Sequence, residues 1–295
     1  MPTITPHLWF DKGAKEAAQL YVSLFSGRSK ITNVTTLHDT PSGDCDVVSF
    51  ELAGQPFLSI SAGPLFRFNP SVSFHVKCRT KDEVDSLWVR LSKGGTALME
   101  LGEYPFSERY GWLQDEYGLS WQLMFTGDAP IRQKITPVLM FAGKVCGKAE
   151  EAMKFYASVF PHGKAGVLAR YEKGEQPEKE GTVKYASFVL AGMEFGAMDS
   201  AREHKFAFNE AISFIVNCED QKGIDFYWSK LSAVPDSEQC GWLKDKFGLS
   251  WQITPVVMGE MMSKGTKEQV ARLTRAFLPM KKLDLAALRK AFEGK

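Results

Sequence analysis

The hydrophobic positions of the 295-residue chain follow two periods, and the switches between them lay out the elements. ITPHLWF (4–10) alternates as a strand does, with Leu8 and Phe10 on one side and His7 and Trp9 on the other. AKEAAQLYVSLF (14–25) gathers Ala17, Leu20, Tyr21, Leu24 and Phe25 on one face at helical spacing. ITNVTTLH, DVVSFEL and PFLSISA predict three strands, the last two joined by a short turn through Ala53-Gly54-Gln55. SVSFHVKC (71–78) begins a second round. Thr80-x-x-Glu83 has the form of a capping box ahead of a buried stripe of Val84, Leu87, Trp88 and Leu91. Short strands follow and close on LSWQLMF. The pattern is strand, helix, three strands, performed twice.

The whole pattern then recurs. GWLQDEYGLSWQ (111–122) returns as GWLKDKFGLSWQ (241–252), with nine of twelve letters unchanged. ITPHLWF answers to ITPVLMF (135–141), AKEAAQLYVSLF to AEEAMKFYASVF (149–160), and VVSFELAGQPF (47–57) to YASFVLAGMEF (185–195). FNPSVSFHVKC (68–78) matches FNEAISFIVNC (208–218). A period of about 130 residues is too long for a solenoid and indicates two homologous domains. The polar, Gly- and Pro-bearing TGDAPIRQK marks the joint. Domain 1 is expected over 1–126, a linker over 127–134 and domain 2 over 135–295.

Composition removes several classes of function. Net charge is +1 and no Lys/Arg run stands out, which argues against a nucleic-acid partner. No apolar run approaches a membrane span, and the opening MPTITPHLWFDKG lacks the form of a secretory signal. Five cysteines, odd in number and without a C-x-x-C pair, point away from a disulfide framework or structural zinc. A reducing, cytoplasmic setting is expected.

The paired βαβββ pattern resembles the vicinal oxygen chelate superfamily of glyoxalases, bleomycin-resistance proteins and extradiol dioxygenases. The phrase W-L-x-D-x-[YF]-G-L-S-W-Q is similar to the PhnB-like, or 3-demethylubiquinone 3-methyltransferase-like, branch. FSERYGWLQDEYG in copy 1 looks like the PhnB type. The approach to Cys240-Gly241-Trp242 and the closing VARLTRAFLPMKKLDLAALRKAF look like the methyltransferase-named type, whose last helices extend domain 2. The resemblance implies an α+β fold: two tandem glyoxalase-like domains of paired modules, each a curled mixed sheet around a pocket with helices outside. It also implies a monomer with an internal pseudo-dimer, or a homodimer.

With that fold, strand alternation nominates the pocket residues. They are His7, Trp9, Ser59, Ser61, Ser71, Ser73, His75 and Gln122 in copy 1, with Asp199 and Gln252 in copy 2. Metal-dependent relatives carry His or carboxylate ligands on these strands. Matched by motif, His7 falls at the first-strand position and Gln122 at the last-strand glutamate position, with the other two near Ser61 and Ser71. Copy 2 offers Val138, Asp199, Ala211 and Gln252. One strong ligand is too few for a catalytic ion, which takes about three from His, Cys and carboxylate. No metal and no cofactor are therefore expected. Asp115-x-x-Gly118 and Asp245-x-x-Gly248 read as turn chemistry, Trp121 and Trp251 as core anchors, and Glu108 and Arg109 as a loop pair that could reach the pocket mouth.

The residues favour a metal-free binder of a small-molecule ligand. An enzyme of the lyase, isomerase or dioxygenase kind, using His7 with Gln122 and His75 in the copy 1 pocket, is the second reading, and whether the protein is an enzyme stays open. Methyl transfer is disfavoured, since no G-x-G-x-G or G-x-G-x-x-G turn is present to hold S-adenosylmethionine.

Overall fold

The computed structural model describes residues 2–25 and 27–295, in four successive βα-type modules. The first comprises β1 (Thr3–Phe10), α1 (Ala14–Leu24), β2 (Lys30–Thr40), β3 (Gly43–Leu52) and β4 (Gln55–Ser61). The second comprises β5 (Val72–Cys78), α2 (Lys81–Leu91), β6 (Thr96–Tyr104), β7 (Ser107–Gln114) and β8 (Ser120–Phe125). The third comprises β9 (Ile135–Ala142), α3 (Ala149–Val159), β10 (Lys164–Arg170), β11 (Val183–Leu190) and β12 (Met193–Ser200). The fourth is abbreviated to β13 (Ile212–Cys218), α4 (Gln221–Leu231), β14 (Trp242–Lys244) and β15 (Ser250–Pro255). Three helices follow it: α5 (Val256–Lys264), α6 (Lys267–Phe277) and α7 (Leu285–Glu293).

The modules pair across the repeats. Modules 1 and 4 share a seven-stranded mixed sheet, β14-β15-β13-β1-β4-β3-β2, joined where β1 runs antiparallel to β13. Modules 2 and 3 share an eight-stranded sheet, β10-β11-β12-β9-β5-β8-β7-β6, joined where β5 runs antiparallel to β9. The compact units are accordingly 1–67 with 209–295 (unit 1) and 68–208 (unit 2). Each sequence repeat gives one module to each unit, a partition that no periodicity within a repeat announces.

In each unit the helix of each module takes one face of the sheet. Leu8, Phe10, Val48, Phe50 and Phe57 are buried, and α1 packs on β3 and β4. Val72, Phe74, Val76, Trp121 and Leu123 form the matching layer of unit 2, beneath α2. The repeated L-A-G makes two-residue hairpin turns: Ala53 and Gly54 have φ of 50° and 81°, and Ala191 and Gly192 have 47° and 84°. Both central residues are left-handed, as a turn matched to strand twist requires. Gln55, expected in the turn, already belongs to β4. At α2 the Thr80 side chain accepts the Glu83 N–H at 3.1 Å, but Glu83 returns to the Arg79 N–H at 2.9 Å, so the box closes one residue early. All five cysteines are free thiols; burial pushes Cys78 and Cys218 up to about 12. Among the described residues, no helix is long and apolar enough to cross a membrane.

The repeated phrase is a latch. Asp115 Oδ1 accepts the N–H groups of Tyr117 and Leu119 at 2.9 and 3.0 Å, and Oδ2 accepts the Trp121 indole at 2.9 Å. Asp245 does the same for Phe247, Leu249 and Trp251, at 2.9, 3.1 and 2.9 Å. Gly118 and Gly248 complete the turns at φ near 85–88°. Each tryptophan is fully buried against a phenylalanine, Phe74 or Phe214, with centroids 5.6 Å apart. Gly111 serves packing of another kind: a Cβ there would lie 2.4 Å from the Trp88 ring, so glycine lets α2 settle on β7.

Candidate functional site

The face of each sheet opposite its helices is the candidate site, and the two faces have different fates. In unit 2, β5 sets Ser73, His75 and Lys77 on that face. Pairing with β8 places Gln122 beside His75, and pairing with β9 places Thr136 on its other side. Met140 and Met198 are direct neighbours across β9 and β12. Tyr110 and Trp112 arrive on β7, opposite Met124 and Gln122. All of these except Ser73 and Thr136, together with Tyr171, Tyr185 and Phe206, line a cavity of about 1080 Å³, which lies wholly within unit 2.

The cavity floor is held by a polar relay. The Tyr110 hydroxyl donates to Gln122 Oε1 at 2.8 Å, and Gln122 Nε2 donates to Ser73 Oγ at 2.7 Å. Burial raises the Tyr110 phenol further above its ordinary value. His75 places Nε2 3.2 Å from Met124 Sδ, while Nδ1 is buried without a partner. Burial first, and the Lys77 charge second, lower the His75 pKa from 6.5 to about 4. The imidazole is neutral at pH 7.

In unit 1 the same face carries Trp9, Val47 and Ile60, packed with buried Leu37, Cys45 and Ala62. Against them lie Met258, Leu273, Phe277, Leu283 and Leu288 of the C-terminal segment. Helices α5–α7 therefore fill this cup with the protein's own side chains. The fastening uses Cys240, the counterpart of Tyr110: its N–H reaches Met280 O at 2.6 Å and its thiol reaches Leu278 O at 3.1 Å. Trp9 donates to Gly63 O at 2.9 Å. His7 meets the edge of Trp242 at a centroid distance of 5.3 Å, has an unpartnered Nδ1, and is lowered by burial to about 3. Gln252 Nε2 donates to Ser213 Oγ at 3.0 Å, repeating the Gln122–Ser73 pair.

The ten nominated residues are thus divided. His7, Trp9, Ser59, Ser61 and Gln252 lie in unit 1; Ser71, Ser73, His75, Gln122 and Asp199 lie in unit 2. His75, Gln122 and Asp199 line the cavity, with Ser73 behind Gln122. Ser59 and Ser61 turn instead to the helix layer: Ser59 Oγ donates to Ala14 O at 3.4 Å, and Ser61 Oγ accepts the Ala14 N–H at 3.0 Å. Asp199 holds the start of α3 in the same manner, accepting N–H groups from Gly147, Ala149 and Val183 at 2.7, 3.1 and 2.9 Å. Burial raises its pKa and these N–H groups oppose the rise. Ser71 lies just ahead of β5, where its backbone bonds Asn69 and Met140. Glu108 and Arg109 sit in β7 and pair with Lys81 and Asp85 around α2, each at 2.6 Å, instead of over a mouth. Met140, Met198 and Tyr110 were missed, although alternation along β9, β12 and β7 carries the signal for them.

A catalytic ion does not fit these donors. The matched pair His7 and Gln122 belongs to two different units. In unit 2, Gln122 is engaged at both ends of its amide and both Asp199 oxygens are taken by backbone. His75 Nδ1 is buried without a partner, yet among the described residues no group of three His, Cys, Asp or Glu converges.

Two matches to one family model span most of the chain. The family described as 3-demethylubiquinone-9 3-methyltransferase matches residues 2–124 and again 133–254. Among solved structures, the PhnB protein from Bacillus cereus is 37% identical, covering 41% of this chain and 98% of that one at a TM-score of 0.39. A glyoxalase I mutant from Zea mays is 13% identical over 86% of this chain and 94% of that one, at a TM-score of 0.50. A second mutant of that enzyme covers 85% and 92%, also at 13% and 0.50. These last two are likenesses of fold. No curated protein matches the chain.

Proposed function

The chain belongs to the 3-demethylubiquinone-9 3-methyltransferase family in both of its repeats, and from that premise we propose that it is a metal-free small-molecule-binding protein with one working cup, in unit 2. The observation that carries this reading is the contrast between the two cups. One holds a cavity of about 1080 Å³, just above the usual range of about 300–1,000 Å³ for ligand sites. The other is filled by α5–α7. The amide at Gln122 and the locked carboxylate of Asp199 support binding without an ion. Methyl transfer, despite the family's name, lacks a seat: the sequence has no Gly-rich strand-to-helix turn. Each sheet already draws on both repeats, which supports a monomer in solution.

Met198 gives the test, because it is half-buried on the cavity wall and lies outside the floor relay. Met198→Trp is expected to weaken binding of the uncharged dye Nile red about tenfold or more, by placing an indole in the cavity. Fluorescence titration reads the affinity and stoichiometry, and circular dichroism checks that the fold persists. One site per chain, weakened by the substitution, supports the reading. Binding that Met198→Trp leaves untouched overturns it.

A further inference from the structure

Resting on that reading of the unit 2 cup, we infer that its ligand is an uncharged, ring-bearing molecule, selected by a wall of thioethers and aromatic rings in which every charged side chain is already engaged by an ion-pair or hydrogen-bond partner. Lys77 Nζ lies 2.7 Å from Glu194 Oε2. Lys184 is paired with Glu175, and Arg202 Nε lies 3.6 Å from Glu178 Oε1. Asp199 is spent on backbone N–H groups, and His75 is neutral at pH 7. His204 is lowered as well, chiefly by burial, and shares a hydrogen bond with Ser200. These account for all the ionisable side chains on the cavity wall apart from its tyrosines.

An incoming charge would leave water and meet no free counter-charge, which is costly. A flat uncharged ring would instead meet Met99, Met124, Met140 and Met198. Thioethers are polarisable, adapt their shape and make favourable contacts at ring edges. Unit 1 supplies an internal reference: the homologous face there is covered by methionine, leucine and phenylalanine side chains of α5–α7. What this fold places against that face is apolar and uncharged.

A matched set of naphthyl probes of one ring size tests the inference: 2-naphthol, 2-naphthoate and 2-naphthylmethylammonium, titrated at pH 7 into the full chain and into Met198→Trp. The expected result is that 2-naphthol binds about tenfold tighter than either ion, and that Met198→Trp weakens it. An ion that binds as tightly as the naphthol, and is lost in Met198→Trp, overturns the ligand class and leaves the cup reading standing. Binding insensitive to Met198→Trp removes both. Glu194→Gln adds a gain-of-function arm, because it leaves Lys77 unpaired at the cavity. Naphthoate should then tighten about threefold or more while naphthol stays unchanged. An unchanged naphthoate affinity would show that charge pairing is not what excludes the anion.

Discussion

Asp245→Ala is expected to lower the free energy of unfolding by about 3–5 kcal/mol, and Asp115→Ala by a similar amount. Each carboxylate accepts two backbone N–H groups and one indole N–H, at 2.9–3.1 Å, and is itself nearly fully buried. Alanine removes the carboxylate that accepts from all three donors at once. An unsatisfied buried donor costs about 1–3 kcal/mol, and three sharing one carboxylate add less than independently. The indole is the decisive member, since Trp121 and Trp251 are wholly inaccessible to solvent and anchor the last strand of each repeat. Asparagine separates the contributions: it keeps one oxygen for the turn but sets an NH2 against a neighbouring donor, so about half the loss is expected. Urea denaturation followed by tryptophan fluorescence and circular dichroism measures both variants. A loss below about 1 kcal/mol for alanine would mean that water replaces the carboxylate and that the latch is not structural.

The latch also shows what could be read without coordinates. D-x-[YF]-G-L-S-W spells its own geometry, because the acceptor, the left-handed glycine and the indole lie within seven residues. Helix and strand periods are local in the same sense, and so is the alternation that put His75 and Gln122 on one face. The partners of each face are not local. His7 and Gln122 share a repeat, yet β1 pairs with β13 and β5 pairs with β9. Both partners of a swap carry equivalent apolar patterns, so the sequence fits pairing within a repeat as well as pairing between repeats. The serines show a second limit. Ser59 and Ser61 lie on the same face as Phe57, which is core, but a small polar side chain such as Ser61 satisfies a free N–H at a helix start as well as it would line a pocket. The filled cup was legible only as a helical C-terminal extension of domain 2; that its apolar side chains cover Trp9 and Ile60 depends on tertiary placement.

The two buried histidines make stability fall with acid more steeply than carboxylates alone would. In the unfolded chain each imidazole titrates near 6.5, whereas in the fold burial holds His7 at about 3 and His75 at about 4. Above pH 6.5 both states are neutral and neither histidine makes stability depend on pH. Between 6.5 and the folded value, only the unfolded chain takes up the proton, so stability drops as pH falls. The slope approaches about 1.4 kcal/mol per pH unit for each histidine. The accumulated loss is on the order of 3–5 kcal/mol per residue by the time the folded value is reached. His7→Phe and His75→Phe keep a flat ring in each place and remove the titration. Urea denaturation at steps from pH 7.5 to 4.5 should give each variant a shallower slope, by about 1.4 kcal/mol per unit once the pH lies well below 6.5. Carboxylates titrate equally in parent and variant and cancel in the comparison. The contrast between sites is informative in itself. His7 lies against Trp242 in unit 1, whereas His75 borders an open cavity. Any water that enters that cavity and solvates the imidazolium would raise the folded value of His75 and flatten its contribution while leaving that of His7 intact. An unchanged slope in His7→Phe would mean that the fold accommodates the proton at His7 without unfolding.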